Sequence, residues 1–183
     1  MNSSKSNKPA GLIYITGIAG TGKSTIKAKL EQRGYEAYEV DGEFAGFFHT
    51  GTGNRSRATI AERSLEWYQR HNWIFMEEPL EKLQQYSVDH LVFLCGTTWD
   101  EQDYWKAFDK VFALVLDDEA LEHRLKTRLN PEAWGKVPYE LADTLARNKS
   151  SRNEDYRQLG ATIIDATSSP DTIVDEILEK IEQ

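Results

Sequence analysis

Short apolar runs and helix-spaced stretches alternate along this chain from end to end. Leu12–Thr16, Glu36–Val40, His90–Cys95, Lys110–Leu116 and Ala161–Ile164 have strand length, and the first and third are continuous apolar runs suited to parallel strands buried on both faces. Between them, Ile26 and Leu30 stand four apart and Gly34 is placed to end a helix in a left-handed cap. Leu121, Leu125 and Leu129 repeat every four residues, and Ile173, Val174, Ile177, Leu178 and Ile181 form the inward stripe of a last helix opened by Ser169-Pro170. Strands alternating with helices predict an α/β fold, a parallel sheet with helices on both faces.

The middle of the chain departs from this rhythm. Phe44–Arg57, with three phenylalanines, three glycines, Arg55 and Arg57, is predicted to be a long functional loop, the alternative being a core-packing loop with solvated arginines. Thr59 and Glu62 form a capping box that predicts a helix with Trp67 in the core, and a short helix is predicted from Pro79 to Tyr86. Thr98 and Glu101 form a second box, predicting a helix that carries Tyr104, Trp105 and Phe108. Asn130–Val137, containing Pro131, Trp134, Gly135 and Lys136, breaks a helical stretch that resumes from Tyr139 to Leu159.

The 183 residues suit one domain, expected over residues 11–183 after a polar, disordered lead-in at residues 1–10. A formal net charge of −8 offers no basic footprint for a long nucleic acid. Cys95 is the single cysteine, no run approaches a membrane span, and the N-terminus carries no apolar signal core. The expectation is a protein of the reducing cytoplasm, a monomer or homodimer.

Candidate chemistry centres on the turn after the first strand. Gly17, four spacers and then Gly22-Lys23-Ser24 fit the phosphate-loop pattern, in which backbone N–H groups of Ala19, Gly20, Thr21, Gly22, Lys23, Ser24 and Thr25 would cradle phosphate oxygens. Lys23 would lie along the terminal phosphates and the Ser24 hydroxyl would bind magnesium. The helix that follows points its partial positive charge at the same place. Asp41 ends the second strand on the edge where open parallel sheets bind ligands. Arg124 and Arg128 share one helix face and would supply cations around a transferring phosphoryl group, unless that face is merely solvated. An acceptor would sit among Phe44, Phe48, Arg55, Arg57, Trp73 and Gly96, where glycine lets a backbone or a ligand approach closely.

With these residues the chain resembles the small P-loop phosphotransferases that include adenylate, shikimate and gluconate kinases, and in particular a less characterised group of kinase-like ATP-binding proteins. The resemblance runs from Leu12 to Ile181 and rests on the phosphate loop, the carboxylate after the second strand, the arginine pair, a short lid near residues 129–137, and the final strand and helix. It implies a three-layer fold with five parallel strands in the order 2-3-1-4-5, a substrate-binding insertion near residues 42–72, and ATP with Mg2+. It also implies that Arg124 lies over the adenine, that Arg128 reaches the phosphates, and that residues from Ala166 through Thr167 to Ser169 line the base. Many relatives place an aspartate at the end of the third strand to hold magnesium through water, where this chain has Cys95-Gly96. Asp41, as in shikimate-type members, is then the magnesium-side carboxylate or the general base, and both roles stay open.

The expected function is transfer of the γ-phosphate of ATP to a small acceptor, a nucleoside or nucleotide. An ATP-binding regulatory or assembly ATPase is the alternative from another class, and an antibiotic or sugar-acid phosphotransferase differs only in its acceptor. A GTP switch is disfavoured because Asn148-Lys149-Ser150-Ser151 lacks the guanine-reading aspartate.

Overall fold

The structure, a computed structural model, describes residues 9–127, 141–142, 144–146 and 152–182. Arg128 and the expected lid with Trp134, Gly135 and Lys136 lie outside the described residues.

Five parallel strands form the central sheet: β1 (Gly11–Thr16), β2 (Glu36–Glu39), β5 (Leu91–Cys95), β6 (Lys110–Val115) and β7 (Thr162–Asp165), in the order β2-β5-β1-β6-β7. Two further strands, β3 (Ala45–His49) and β4 (His71–Phe75), make a separate antiparallel pair. With that pair set aside, the order is the expected 2-3-1-4-5. β1 is central, its Ile15 in register with Cys95 of β5 on one side and Phe112 of β6 on the other.

Period-two alternation divides the sheet's side chains between two cores. Ile13, Ile15, Phe93, Phe112 and Leu114 pack with Ile26 and Leu30 of α1 (Lys23–Gln32), and with Leu121 and Leu125 of α4 (Asp118–Thr127). Ile173, Val174 and Ile177 of the last helix, Pro170–Glu182, join the same core. Leu12, Tyr14, Val92, Leu94 and Val111 pack on the other face with Leu80 and Leu83 of α3 (Glu77–Ser87). α1 ends as predicted: Gly34 has φ 82°, its N–H donates to the Glu31 carbonyl at 2.9 Å, and the Tyr35 N–H donates to Leu30 at 3.0 Å. No helix among the described residues is long and apolar enough to cross a membrane.

The region after β2 corrects the sequence expectation. Phe44–Arg57 is not an open loop, because Ala45–His49 pairs with His71–Phe75. The pairing joins segments more than twenty residues apart, so no local turn signal announces it. The helix expected from Thr59 is instead a 3₁₀ turn at Ile60–Glu62, with the capping box formed, and a short α2 (Leu65–Gln69). Tyr68 is the buried aromatic of α2, whereas Trp67 is half-buried. After β5, Glu101–Ala107 is a 3₁₀ helix in which Glu101 is buried, so Glu101 does not serve as the capping residue that Thr98-x-x-Glu101 suggested.

Candidate active site

β1 delivers the chain into a tight cradle at its C-terminal end. Gly17 has φ 141°, and a Cβ there would lie 2.5 Å from the Leu114 carbonyl oxygen, so only glycine fits where the loop crosses β6. Thr21 is buried and its hydroxyl donates to the Ile18 carbonyl at 2.9 Å, bracing the loop from within. α1 begins after Gly22 with no side-chain cap and no acidic residue in its first turn, so nothing in that turn offsets the positive end of the helix. Ser24 and Thr25 are exposed at this end. Lys23 folds back over the loop, Nζ donating to the carbonyls of Gly17 at 2.5 Å and Ile18 at 3.0 Å.

Asp41, just beyond β2, lies within electrostatic reach of Lys23. Its side chain keeps an exposed face, yet the protein packed around the carboxyl raises its pKa above the usual carboxylate value. The Lys23 charge pulls it back down, and Glu39 adds a smaller push upward. Cys95, at the end of β5, is buried, and that burial pushes its thiol up to about 12, with Lys23 opposing. It is a core side chain and not a nucleophile.

On the other side of the loop, Arg124 Nη1 donates to the Thr21 carbonyl at 3.3 Å and Nη2 to the Ala166 carbonyl at 2.7 Å. This arginine therefore straps the phosphate loop to the turn after β7. Thr167, the next residue in that turn, donates its N–H and hydroxyl to Asp165 at 2.9 and 2.8 Å and so folds it tightly. Arg124 thus reaches the residue before Thr167, while Asp41 lies near Lys23.

The expected acceptor residues divide into two groups. Directly opposed residues of an antiparallel pair share a face, and the register matches Phe47 with Trp73 and Phe48 with Asn72. Phe48 and Trp73 thus lie on opposite faces of the hairpin, and one flat ligand cannot rest on both rings. Trp73 faces the sheet edge: its indole N–H donates to the Thr97 carbonyl at 2.8 Å, and its own carbonyl accepts from the Trp99 N–H at 2.8 Å. Arg55 crosses the other face, over the bare Gly46, and donates to the Gly42 carbonyl at 3.1 Å. Arg57 is exposed.

Phe44 is 3% exposed and packs edge-on against Tyr38, so its ring is almost wholly enclosed by the protein. It lines a cavity of about 310 Å³ with Glu43, Lys82 and Tyr86 that includes no phosphate-loop residue. Of the two close approaches expected at Gly96, by a backbone or by a ligand, the structure shows the first. A Cβ there would stand 2.2 Å from Val40 Cβ, so the close approach is made by the neighbouring chain segment and not by a ligand. Gly96→Ala should therefore cost about 3 kcal/mol through overpacking, which a thermal melt would register as a drop of roughly 6–12 °C; an unchanged melt would show that Val40 yields freely.

Sequence reasoning missed Arg63, Trp99 and Glu101. Arg63 lies 4.8 Å above the Phe47 ring and 5.3 Å above Trp67, and Trp99 meets Phe47 edge-on at 6.0 Å. Together they build an aromatic wall with one cation beside the C-terminal edge of β5. Only the alternating pattern of Phe47, His49, His71 and Trp73 across two strands hinted at it.

The strand order, the loop geometry and the adjacent carboxylate define a P-loop protein with the fold of the small P-loop kinases. A family model described as "AAA domain" matches residues 13–160, and the chain belongs to that family. No curated protein matches it significantly. Among solved structures it is similar to a shikimate kinase from Acinetobacter baumannii in complex with shikimate, at 22% identity and a TM-score of 0.62, covering 98% of this chain and 97% of that one. It is also similar to a gluconokinase from Sinorhizobium meliloti 1021, at 18% identity, TM-score 0.52 and coverage of 94% and 92%. A deoxyadenosine kinase from M. mycoides with bound dATP shares 17% identity at TM-score 0.50, with 93% and 99% covered. These likenesses are likenesses of fold.

Proposed function

We propose that this protein is an ATP-dependent phosphotransferase that moves the γ-phosphate of ATP to a small acceptor, a nucleoside or nucleotide. The observation that carries the reading is the phosphate loop with Lys23 folded into it and Asp41 in reach of that ammonium. In this reading Lys23 exchanges its bonds to the Gly17 and Ile18 carbonyls for phosphate oxygens, and the start of α1 supplies N–H donors to the same group. Arg124 keeps the loop and the Ala166–Thr167 turn at a fixed separation, which suits a base on one side and phosphates on the other.

The residues present fit magnesium: Ser24 offers an open hydroxyl beside the anion cradle and Asp41 a carboxylate, the sparse protein donor set that this ion takes alongside phosphates and water. When bound, the ion neutralises charge on the transferred group. Asp41 acts as its carboxylate in either of its two possible roles, orienting water around the ion or accepting the acceptor's hydroxyl proton. The aromatic wall of Trp73 and Trp99 favours a flat acceptor, and Arg63, over the Phe47 ring of the same wall, favours one carrying an anionic group; a nucleotide has both.

Labelled ATP presented with nucleosides, nucleotides, sugar acids and aminocyclitols tests this directly. Label should pass to a nucleoside or nucleotide, with ATP consumed well above the acceptor-free rate. Transfer only to a sugar acid or aminocyclitol would replace the acceptor class. Tight ATP binding without transfer to any of them would move the reading to a regulatory ATPase.

A further inference from the structure

Glu101 is a carboxyl group 2% exposed, with no part in the chemistry above. Oε2 accepts three hydroxyl hydrogen bonds, from Tyr14 at 3.0 Å, Thr16 at 2.7 Å and Thr97 at 3.1 Å, and Oε1 accepts a fourth from Tyr156 at 3.2 Å. The donors come from separate parts of the chain. Tyr14 and Thr16 lie on one face at the end of β1 before Gly17, Thr97 follows β5, and Tyr156 sits on the helix Arg152–Gln158. Tyr14 remains a donor, since its own burial and then the Glu101 charge raise its pKa well above the usual phenol value.

The location gives the cluster a use. Thr16 is the residue from which the phosphate loop springs, and Thr97 lies in the turn beyond β5, two residues past the strand end. At that strand end the Gly96 N–H donates to the Ile15 carbonyl at 3.0 Å. Both threonine hydroxyls converge on one oxygen atom, so their separation is set by Glu101. A buried polar network of this kind rigidifies the segments that enter it when every member is satisfied. Its oxygen acceptors come from a residue that returns to the strand end four positions after Thr97, which a simple helix cap would not do.

We propose that Glu101 is a positioning residue for phosphoryl transfer, its buried carboxyl gathering the Thr16 and Thr97 hydroxyls so that the phosphate loop and the turn after β5 hold one fixed relation. The inference rests on phosphoryl transfer at the phosphate loop. ATP binding as such draws on the loop's N–H groups and Lys23, which Glu101 does not touch; alignment of the reacting groups draws on the relation between the two segments, where a small misplacement is costly.

Glu101→Gln and Tyr156→Phe test it, with affinity read from a fluorescent ATP analogue and turnover from phosphate released from Mg·ATP. Gln keeps the size of the side chain but puts an amide nitrogen where one of the two accepting oxygens stood. Tyr156→Phe removes the donor that belongs to neither segment flanking the loop. The expected result is nucleotide affinity within about twofold of wild type in both, with kcat lowered about tenfold in Glu101→Gln and about threefold in Tyr156→Phe at unchanged KM for ATP. A lowered melting temperature with kcat and KM both unchanged would overturn the proposal and leave Glu101 a purely structural group. Should Glu101→Gln fail to fold, Tyr156→Phe decides alone by the same split. A wild-type protein that does not bind the analogue at all would instead sink the phosphate-loop reading and take this inference with it.

Discussion

Lys23→Ala is expected to lower turnover by about a thousandfold while leaving the fold intact. The ammonium makes its hydrogen bonds to the Gly17 and Ile18 carbonyls inside the loop, and the buried apolar anchors of α1 are Ile26 and Leu30, about one and two turns further along the helix. Truncation therefore removes the cation from the anion cradle without opening a cavity in the core. Phosphate release from ATP should fall to near background, and the melting temperature should shift by no more than a few degrees. Near-normal turnover in a well-folded variant would mean that the loop does not hold a reacting phosphate.

Asp41→Asn should separate activity from stability in the opposite directions. The side chain keeps its shape and loses its charge, so turnover should fall about a hundredfold whether the carboxylate serves the metal or the acceptor hydroxyl. Stability should hold or rise slightly. A carboxyl whose folded pKa is raised contributes stability only while protonated, below its unfolded value, and that contribution is lost as pH rises through the folded pKa. At neutral pH the ionised Asp41 is thus a cost to the fold, which the amide removes. The wild-type rate should also fade on the acid side at a pH above the ordinary aspartate range, since the working form is the carboxylate. A destabilised Asp41→Asn protein with full specific activity would assign Asp41 to the turn after β2 and not to the reaction.

Local patterns were enough for the sheet, the phosphate loop and the main helices. A glycine loop between an apolar run and an amphipathic helix is a short-range signal, and strand–helix alternation predicted a parallel sheet, whose strand order came from the resemblance to the small P-loop kinases. Gly34 and the Ser169-Pro170 start of the last helix were legible because caps are written within four residues of the elements they close. The sequence placed Lys23 and Asp41 at one sheet edge for the same reason: both follow directly from strand ends.

Long-range pairing decided the rest. The β3–β4 hairpin joins Phe47 to Trp73 across an intervening 3₁₀ turn and α2, so the assignment of Phe48 and Trp73 to opposite faces depended on a register that neither strand encodes alone. Gly96 looked like room for a backbone or a ligand and proved to be room for Val40, a neighbour known only once β2 lies beside β5. Glu101 shows the limit most plainly. Its spacing from Thr98 satisfies a helix-capping pattern, yet three of the four hydroxyls that bond its carboxyl lie 55 to 87 residues away in the chain. What a sequence states locally is backbone preference; which polar group is left without water, and must then find partners, is settled only when the packed layers close over it.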